Sequence, residues 1–446
     1  MAYVSSIPRP GQWGDRYLLL LSVVLFGYAM NGKGFAYLGV PPIFVGEIAL
    51  ISGAIVYLRT GCLIATLASL PSFLLAVAML WVLVRTLPFV GAYGFDALRD
   101  SVVVMYGAFA FIIIALLLEK PSRINTIIRY YGVFLTVYLP AVPFLFAISR
   151  YMQTSIPRWP AVNIYMLLLQ PGEVATHLVG AMVFTLVGLR KMRFVGVVSV
   201  VATLPMISVQ SRGAILAAAV PVIFAAVVSG HARKLAAIGA VGLAVFFAAY
   251  ILETSLARDY REPRSTSERS LSTRQIAENA VSIVGPGDRQ TEGTKEWRFQ
   301  WWTMIVNDTV FGPNFWTGRG FGLNLADADG FRDGTNRDHA PLREPHNVIM
   351  TMLARAGVPG EVLWLAVVAS WMWMLMRAMW IARRRGDREW AGLFLFITCY
   401  VMSIIINAAF DVALSGPVQG IWFWCLMGFG IGSVMVYRCR PRDALR

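Results

Sequence analysis

The sequence predicts an all-α polytopic membrane protein with about twelve transmembrane helices and one large external loop between the ninth and tenth. Three observations carry that expectation. The 446 residues are 57% hydrophobic and 14% charged, a balance for which lipid, not water, is the solvent of most of the chain. Apolar runs near the roughly 20 residues that span a bilayer follow one another in quick succession. The basic residues cluster in every second connection, as cytoplasmic loops require. The net charge of +14 is therefore read as topology and not as a nucleic-acid footprint.

The runs lie near 17–31, 42–58, 68–86, 102–118, 126–148, 174–189, 193–209, 213–229 and 234–252, then near 359–381, 389–411 and 419–437. Arg9 and Arg16 precede the first run with no small-residue cleavage site, so that helix is expected to be retained. Lys and Arg collect at Arg59, at Lys120, Arg123 and Arg129, at Arg190, Lys191 and Arg193, at Arg233 and Lys234, and at Arg383, Arg384, Arg385 and Arg388. Arg438, Arg440, Arg442 and Arg446 follow the last run. An even number of spans with both termini cytoplasmic satisfies all of these together. Three regions result: a membrane region over 1–252, an external loop over 253–345, and a second membrane region over 346–446 with a short tail.

The external loop holds more than half of the 25 acidic residues and nearly as many arginines. A loop of that length is uncommon unless it is functional or disordered. Its first part, 258–288, is rich in Ser, Arg and Glu and poor in large apolar residues, and is expected to be mobile. From Lys295 to Ile305 the pattern is that of an amphipathic helix whose aromatic residues are expected at the membrane interface.

Candidate chemistry gathers on the outer side. Arg212, at the junction of two apolar runs, is costly there unless it faces protein, water or an anion; the plainer alternative is snorkelling to lipid phosphates. Arg298 precedes Trp301 and Trp302 by three and four residues, so it shares a helical face with them, where a guanidinium stacks on indole and still offers its fork to an anion. His346, one of four histidines, stands between the loop and the next apolar run, wet enough to titrate and close to apolar surface. His339 is its nearest rival. The cysteines Cys62, Cys399, Cys425 and Cys439 have neither disulfide nor zinc spacing. Asp327–Asp333 begins like a calcium loop, but Phe331 and Arg332 occupy its fifth and sixth positions, so a solvated acidic turn is expected and no metal. No Walker loop, Rossmann fingerprint, nucleophile elbow or zinc-protease motif occurs.

Taken together these features resemble the O-antigen ligase and O-antigen polymerase superfamily of bacterial envelope glycan transferases. The Arg-x3-Leu element of the ligases matches Arg212 to Leu216. Their His-x10-Gly element matches His346 to Gly357, continuing into Gly360. The loop signature matches Arg298, Trp301 and Trp302, followed by Gly318, Gly320 and Gly322. The resemblance implies a polyprenyl-diphosphate-linked glycan donor and an acceptor hydroxyl on a lipid core or another glycan. It also implies a location in the bacterial inner membrane with the loop in the periplasm, and no cofactor. In that chemistry Arg212 and Arg298 hold the diphosphate while His346 takes the acceptor's proton. Arg289, Arg319 and Arg343 are further diphosphate or glycan contacts, and Trp302 is a sugar-stacking platform. The alternative within that chemistry is a polymerase of O-antigen or exopolysaccharide repeats. A lipid-linked sugar transporter or flippase is the alternative outside it, though ionisable residues near mid-membrane are lacking, with Arg85 and Asp411 partial exceptions near span ends.

Overall fold

A computed structural model describes residues 11–160, 162–256, 272–284, 289–331 and 342–439. In chain order the helices are α1 (Gln12–Asn31), α2 (Lys33–Ala36), α3 (Val45–Arg59), α4 (Leu70–Tyr93), α5 (Phe95–Met105), α6 (Ala108–Glu119), α7 (Arg123–Tyr151), α8 (Pro171–Leu186), α9 (Phe194–Gln210), α10 (Arg212–Val228) and α11 (Ala232–Leu256). The external segment carries α12 (Thr273–Val284), α13 (Arg289–Thr309) and α14 (Leu325–Ala328). The chain returns through α15 (Val348–Arg384), α16 (Arg388–Ala408) and α17 (Pro417–Cys439).

A helix lies on every run picked out by hydropathy. Six of them, α4, α7, α11, α15, α16 and α17, are long and apolar enough to cross a membrane, and α5 with α6, bent by 41° between them, makes a seventh. The apolar helices α9 and α10 are shorter. The described residues thus form a polytopic all-α membrane protein with six or seven spans by length and composition.

The core centres on α16 and α17. Buried indoles from three tryptophans tie it together by donating to backbone carbonyls: Trp422 to Leu25 at 3.0 Å, Trp424 to Val103 at 3.1 Å and Trp371 to Met427 at 2.9 Å. A buried indole N–H left without an acceptor costs about 1–3 kcal/mol, so each bond also fixes helix register. At one end of the bundle Arg123, 1% exposed, meets Asp15 at 2.8 Å and Glu119 at 2.5 Å, and Lys120 meets Asp15 at 2.8 Å. Arg59 lies over the Trp13 ring at 5.0 Å. The ends of α1, α3, α6 and α7 that the basic-loop pattern puts on one side are therefore held together.

Two features of the external segment differ from the sequence expectation. Of the stretch 258–288, expected to be mobile, residues 258–271 and 285–288 lie outside the described residues, and 273–284 form α12, which Asn279 anchors: its side-chain amide donates to Ser208 O at 2.9 Å and Val209 O at 2.8 Å, carbonyls that α9 leaves free at its end. The aromatic residues of α13 do not all face a membrane surface. Trp301 is fully buried with Ile305, Leu325, Ala326, Leu353 and Ala354 in a small second core, stacks on Phe331, and donates to Asp329 at 2.7 Å.

α15 is two helices joined by a break. Gly357 has φ 71° and ψ −177°, a region open essentially to glycine alone. The break frees carbonyls that a straight helix would satisfy internally. The external loop supplies donors for them: Arg319 N to Ala354 O at 2.8 Å and Gly320 N to Arg355 O at 3.0 Å, while Val358 N donates back to Phe315 O at 2.8 Å. Trp81 of α4 donates its indole N–H to Ala356 O at 2.9 Å. The glycine run 318–322 and the glycine of His-x10-Gly are thus two sides of one joint.

Candidate active site

The hub of the site is the short turn between α16 and α17, whose single charged residue is Asp411. His346 occupies a left-handed backbone conformation, φ 52°, directly before Asn347, which caps α15 by accepting from Ile349 N at 2.9 Å and Met350 N at 3.4 Å. The cap fixes where α15 begins, and His346 enters it from a backbone region uncommon for a residue other than glycine. Its Nδ1 faces Asp411 Oδ1 at 3.4 Å, with the two side chains 27% and 41% exposed. Trp302 holds the same strap from above, donating its indole N–H to Pro345 O at 2.9 Å.

Arg298 reaches this turn from α13. Its guanidinium donates to Phe410 O at 3.0 Å, one residue before Asp411, and the expected stacking on tryptophan does not occur among the described contacts. The backbone carbonyl is the stronger partner because Phe410 has left helical hydrogen bonding. Arg212 starts α10 beside the same turn: Ser211 caps that helix through Ala214 N, and a Cβ on Gly213 would stand 2.9 Å from the Phe410 side chain. Asn279 closes the other side of this junction.

These charges act on one another. Burial works to raise Asp411, but the facing His346, the Val412 N–H and Lys33 outweigh it and hold its carboxyl below the ordinary value. Burial pulls the Arg298 guanidinium below its usual value; Asp411 opposes that shift, and the like charge of Arg212 adds to it. The structure therefore brings together His346, Arg298, Arg212 and Trp302 of the residues singled out in the sequence. It adds Asp411, which the sequence marked only as a charge near a span end. Lys33 joins the field at Asp411.

The remaining arginines sit elsewhere. Arg319 is held by Asp308 at 3.3 Å and Asp329 at 2.5 Å. Arg343 binds Asp96 at 3.2 Å, Asp100 at 3.1 Å and Gly322 O at 3.0 Å. Both guanidiniums are engaged by carboxylates within the fold, because the loop must be fastened to α5 and to itself. Arg289 begins α13, but its side chain lies outside the described residues, as does His339. Asp329 is no solvated turn residue: its carboxylate is taken up by Arg319 and Trp301.

Chemically, the arrangement offers an imidazole facing a carboxylate and two neighbouring guanidiniums whose mutual repulsion an anion would relieve. The O-antigen ligase family model matches residues 197–365. That stretch runs from α9 through Arg212, the external segment, Arg298 and His346 to the joint of α15. No curated protein matches the chain. Residues 197–365, which carry three of the four converging side chains and Trp302, are thus similar to the O-antigen ligase family, a match that supports the O-antigen ligase and polymerase superfamily.

Proposed function

We propose that this protein is a ligase-like glycan transferase that moves a glycan from a polyprenyl diphosphate to an acceptor hydroxyl. The reaction takes place on the outer face of the bacterial inner membrane, the chain spanning it about twelve times with both termini cytoplasmic. The observation that supports it best is the convergence of His346, Asp411, Arg298 and Arg212 on one turn, with all but Asp411 inside the family match.

In this reading the acceptor oxygen attacks the anomeric carbon, and its proton passes to the free imidazole nitrogen of His346. The bond from the anomeric carbon to the diphosphate breaks with its electron pair going to the phosphate oxygen. Arg212 and Arg298 stabilise that charge by charge-assisted hydrogen bonds, which strengthen as the leaving group develops. Asp411 orients the imidazole and stabilises the imidazolium that forms. One displacement inverts the anomeric centre, and no step calls on a metal, since the donor arrives activated. Trp302 offers an indole face to a sugar beside His346.

Transfer by the purified, reconstituted protein from a polyprenyl-diphosphate glycan tests this, with products resolved by size. A single addition to a lipid or core acceptor supports the ligase. A ladder of repeat units reassigns the protein to the polymerases of the same superfamily. Lipid movement without product overturns the transferase reading in favour of a flippase.

A further inference from the structure

The two residues of the His346–Asp411 pair come from different parts of the chain, His346 from the strap that ends the external segment and Asp411 from the α16–α17 turn. A pair of short side chains at 3.4 Å holds its geometry only if both backbones are fixed relative to one another, within about 0.5 Å for productive chemistry. Beside the pair lies a second, buried link between the same two segments. Glu344, two residues before His346 and 5% exposed, accepts a hydrogen bond of 2.5 Å from the hydroxyl of Ser415, four residues after Asp411.

The other oxygen of Glu344 faces Arg355 at 3.7 Å. Arg355 is completely buried, and it also meets Asp100 of α5 at 3.0 Å and donates to Leu323 O at 3.1 Å. Asp100 in turn accepts from Gly322 N at 3.2 Å and meets Arg343 at 3.1 Å and Arg99 at 3.2 Å. A buried ion network of this kind gives little net stability compared with apolar packing of equal volume. What it gives is fixed geometry: the Arg355 guanidinium is anchored to α5 and to the external loop, and its backbone carbonyl to the same loop through Gly320 N.

We propose that Glu344, seated on Arg355 and bonded to Ser415, is a positioning latch that sets the distance between His346 and Asp411. Glu344 and Ser415 touch no reacting atom; they act through the pair, and the inference rests on the transferase reading above. A latch affects the chemical step and leaves donor binding alone, whereas a merely structural contact changes stability and leaves turnover per folded molecule intact.

The test is a double-mutant cycle in the full-length, reconstituted protein, comparing Ser415→Ala, Glu344→Gln and the double variant by kcat, by KM for the polyprenyl-diphosphate donor and by melting temperature. The latch predicts a kcat lowered about five- to twentyfold in each single variant, an unchanged donor KM, and a double variant no slower than Glu344→Gln alone. Additive losses, a raised donor KM, or a lower melting temperature with unchanged kcat would each overturn it. Should Glu344→Gln fail to fold, Ser415→Ala with Ser415→Thr carries the test: loss in the first with recovery in the second supports the latch, and unchanged kcat in the first overturns it. His346→Ala separates the two readings. If it retains transfer, the role of His346 falls; if it is inactive while Ser415→Ala turns over normally, only the latch falls.

Discussion

Replacing Asp411 with asparagine keeps shape and hydrogen bonding but removes the charge that faces His346. At the observed 3.4 Å, a unit charge pair is worth about 1 kcal/mol in water and about 5 kcal/mol at an effective dielectric of 20. Both side chains are partly open to solvent, Asp411 by more than a third, so the lower end applies. In the proposed mechanism the imidazolium forms only as the acceptor proton moves, so its lost stabilisation of about 1–2 kcal/mol would fall on the transition state and slow kcat by roughly tenfold. Asp411→Asn should therefore turn over about ten times more slowly with an unchanged donor KM, and Asp411→Ala, which also frees the ring to rotate, more slowly still. Steady-state transfer in nanodiscs measures both. An Asp411→Asn variant with wild-type kcat would refute the orienting role, and one that lost donor binding instead would move Asp411 to the diphosphate side of the site.

Arg298→Ala and Arg212→Ala should each cut transfer at least a hundredfold. Arg298→Lys should rescue poorly, because a lysine has no planar fork to serve Phe410 O and an anion together; donor titration reads both. Arg319→Ala should lower the melting temperature while the folded fraction keeps its donor KM, since its guanidinium is spent on Asp308 and Asp329. Gly357→Ala should cost about 2–5 kcal/mol, from backbone strain and from a Cβ set 2.7 Å from Phe315 O, read as a lower melting temperature. The carboxyl of Asp411 lies below its ordinary 3.8. Its ionised form therefore contributes stability in full above that value and loses it as pH falls further, so Asp411→Asn should flatten the acid limb of thermal stability measured from pH 5 down to pH 3.

The helical runs were legible because lipid imposes length and apolarity on every span, and the alternation of basic loops orders them. Arg212 stood out because charge at the edge of an apolar run is expensive enough to need a reason, Arg298 because it shares a helical face with Trp301 and Trp302, and His346 because it stands where the loop meets an apolar run. Asp411 was harder to place. A single acid in a short turn has no periodicity to announce it, and its value comes from His346, 65 residues away in the chain. Arg355 was hidden for the opposite reason: it reads as one polar residue at the mouth of a span, and only the fold shows it enclosed by Asp100 and Glu344. Trp301 misled because an indole on an amphipathic helix fits a membrane surface and a small core equally well, and what decided between them was Asp329, 28 residues on.

The joint at Gly357 has a practical side for anyone handling this protein in pieces. The carbonyls of Ala354 and Arg355 that it frees find their donors in the glycine run of the external segment, so neither part is self-sufficient. An isolated external segment would lose Leu353 and Ala354 from its small core, and a chain with that segment cut out would carry bare acceptors at the edge of the hydrocarbon. Fragments should therefore be cut to keep residues 289–384 together, and a glycine linker in place of the loop is expected to yield misfolded protein even where every span remains.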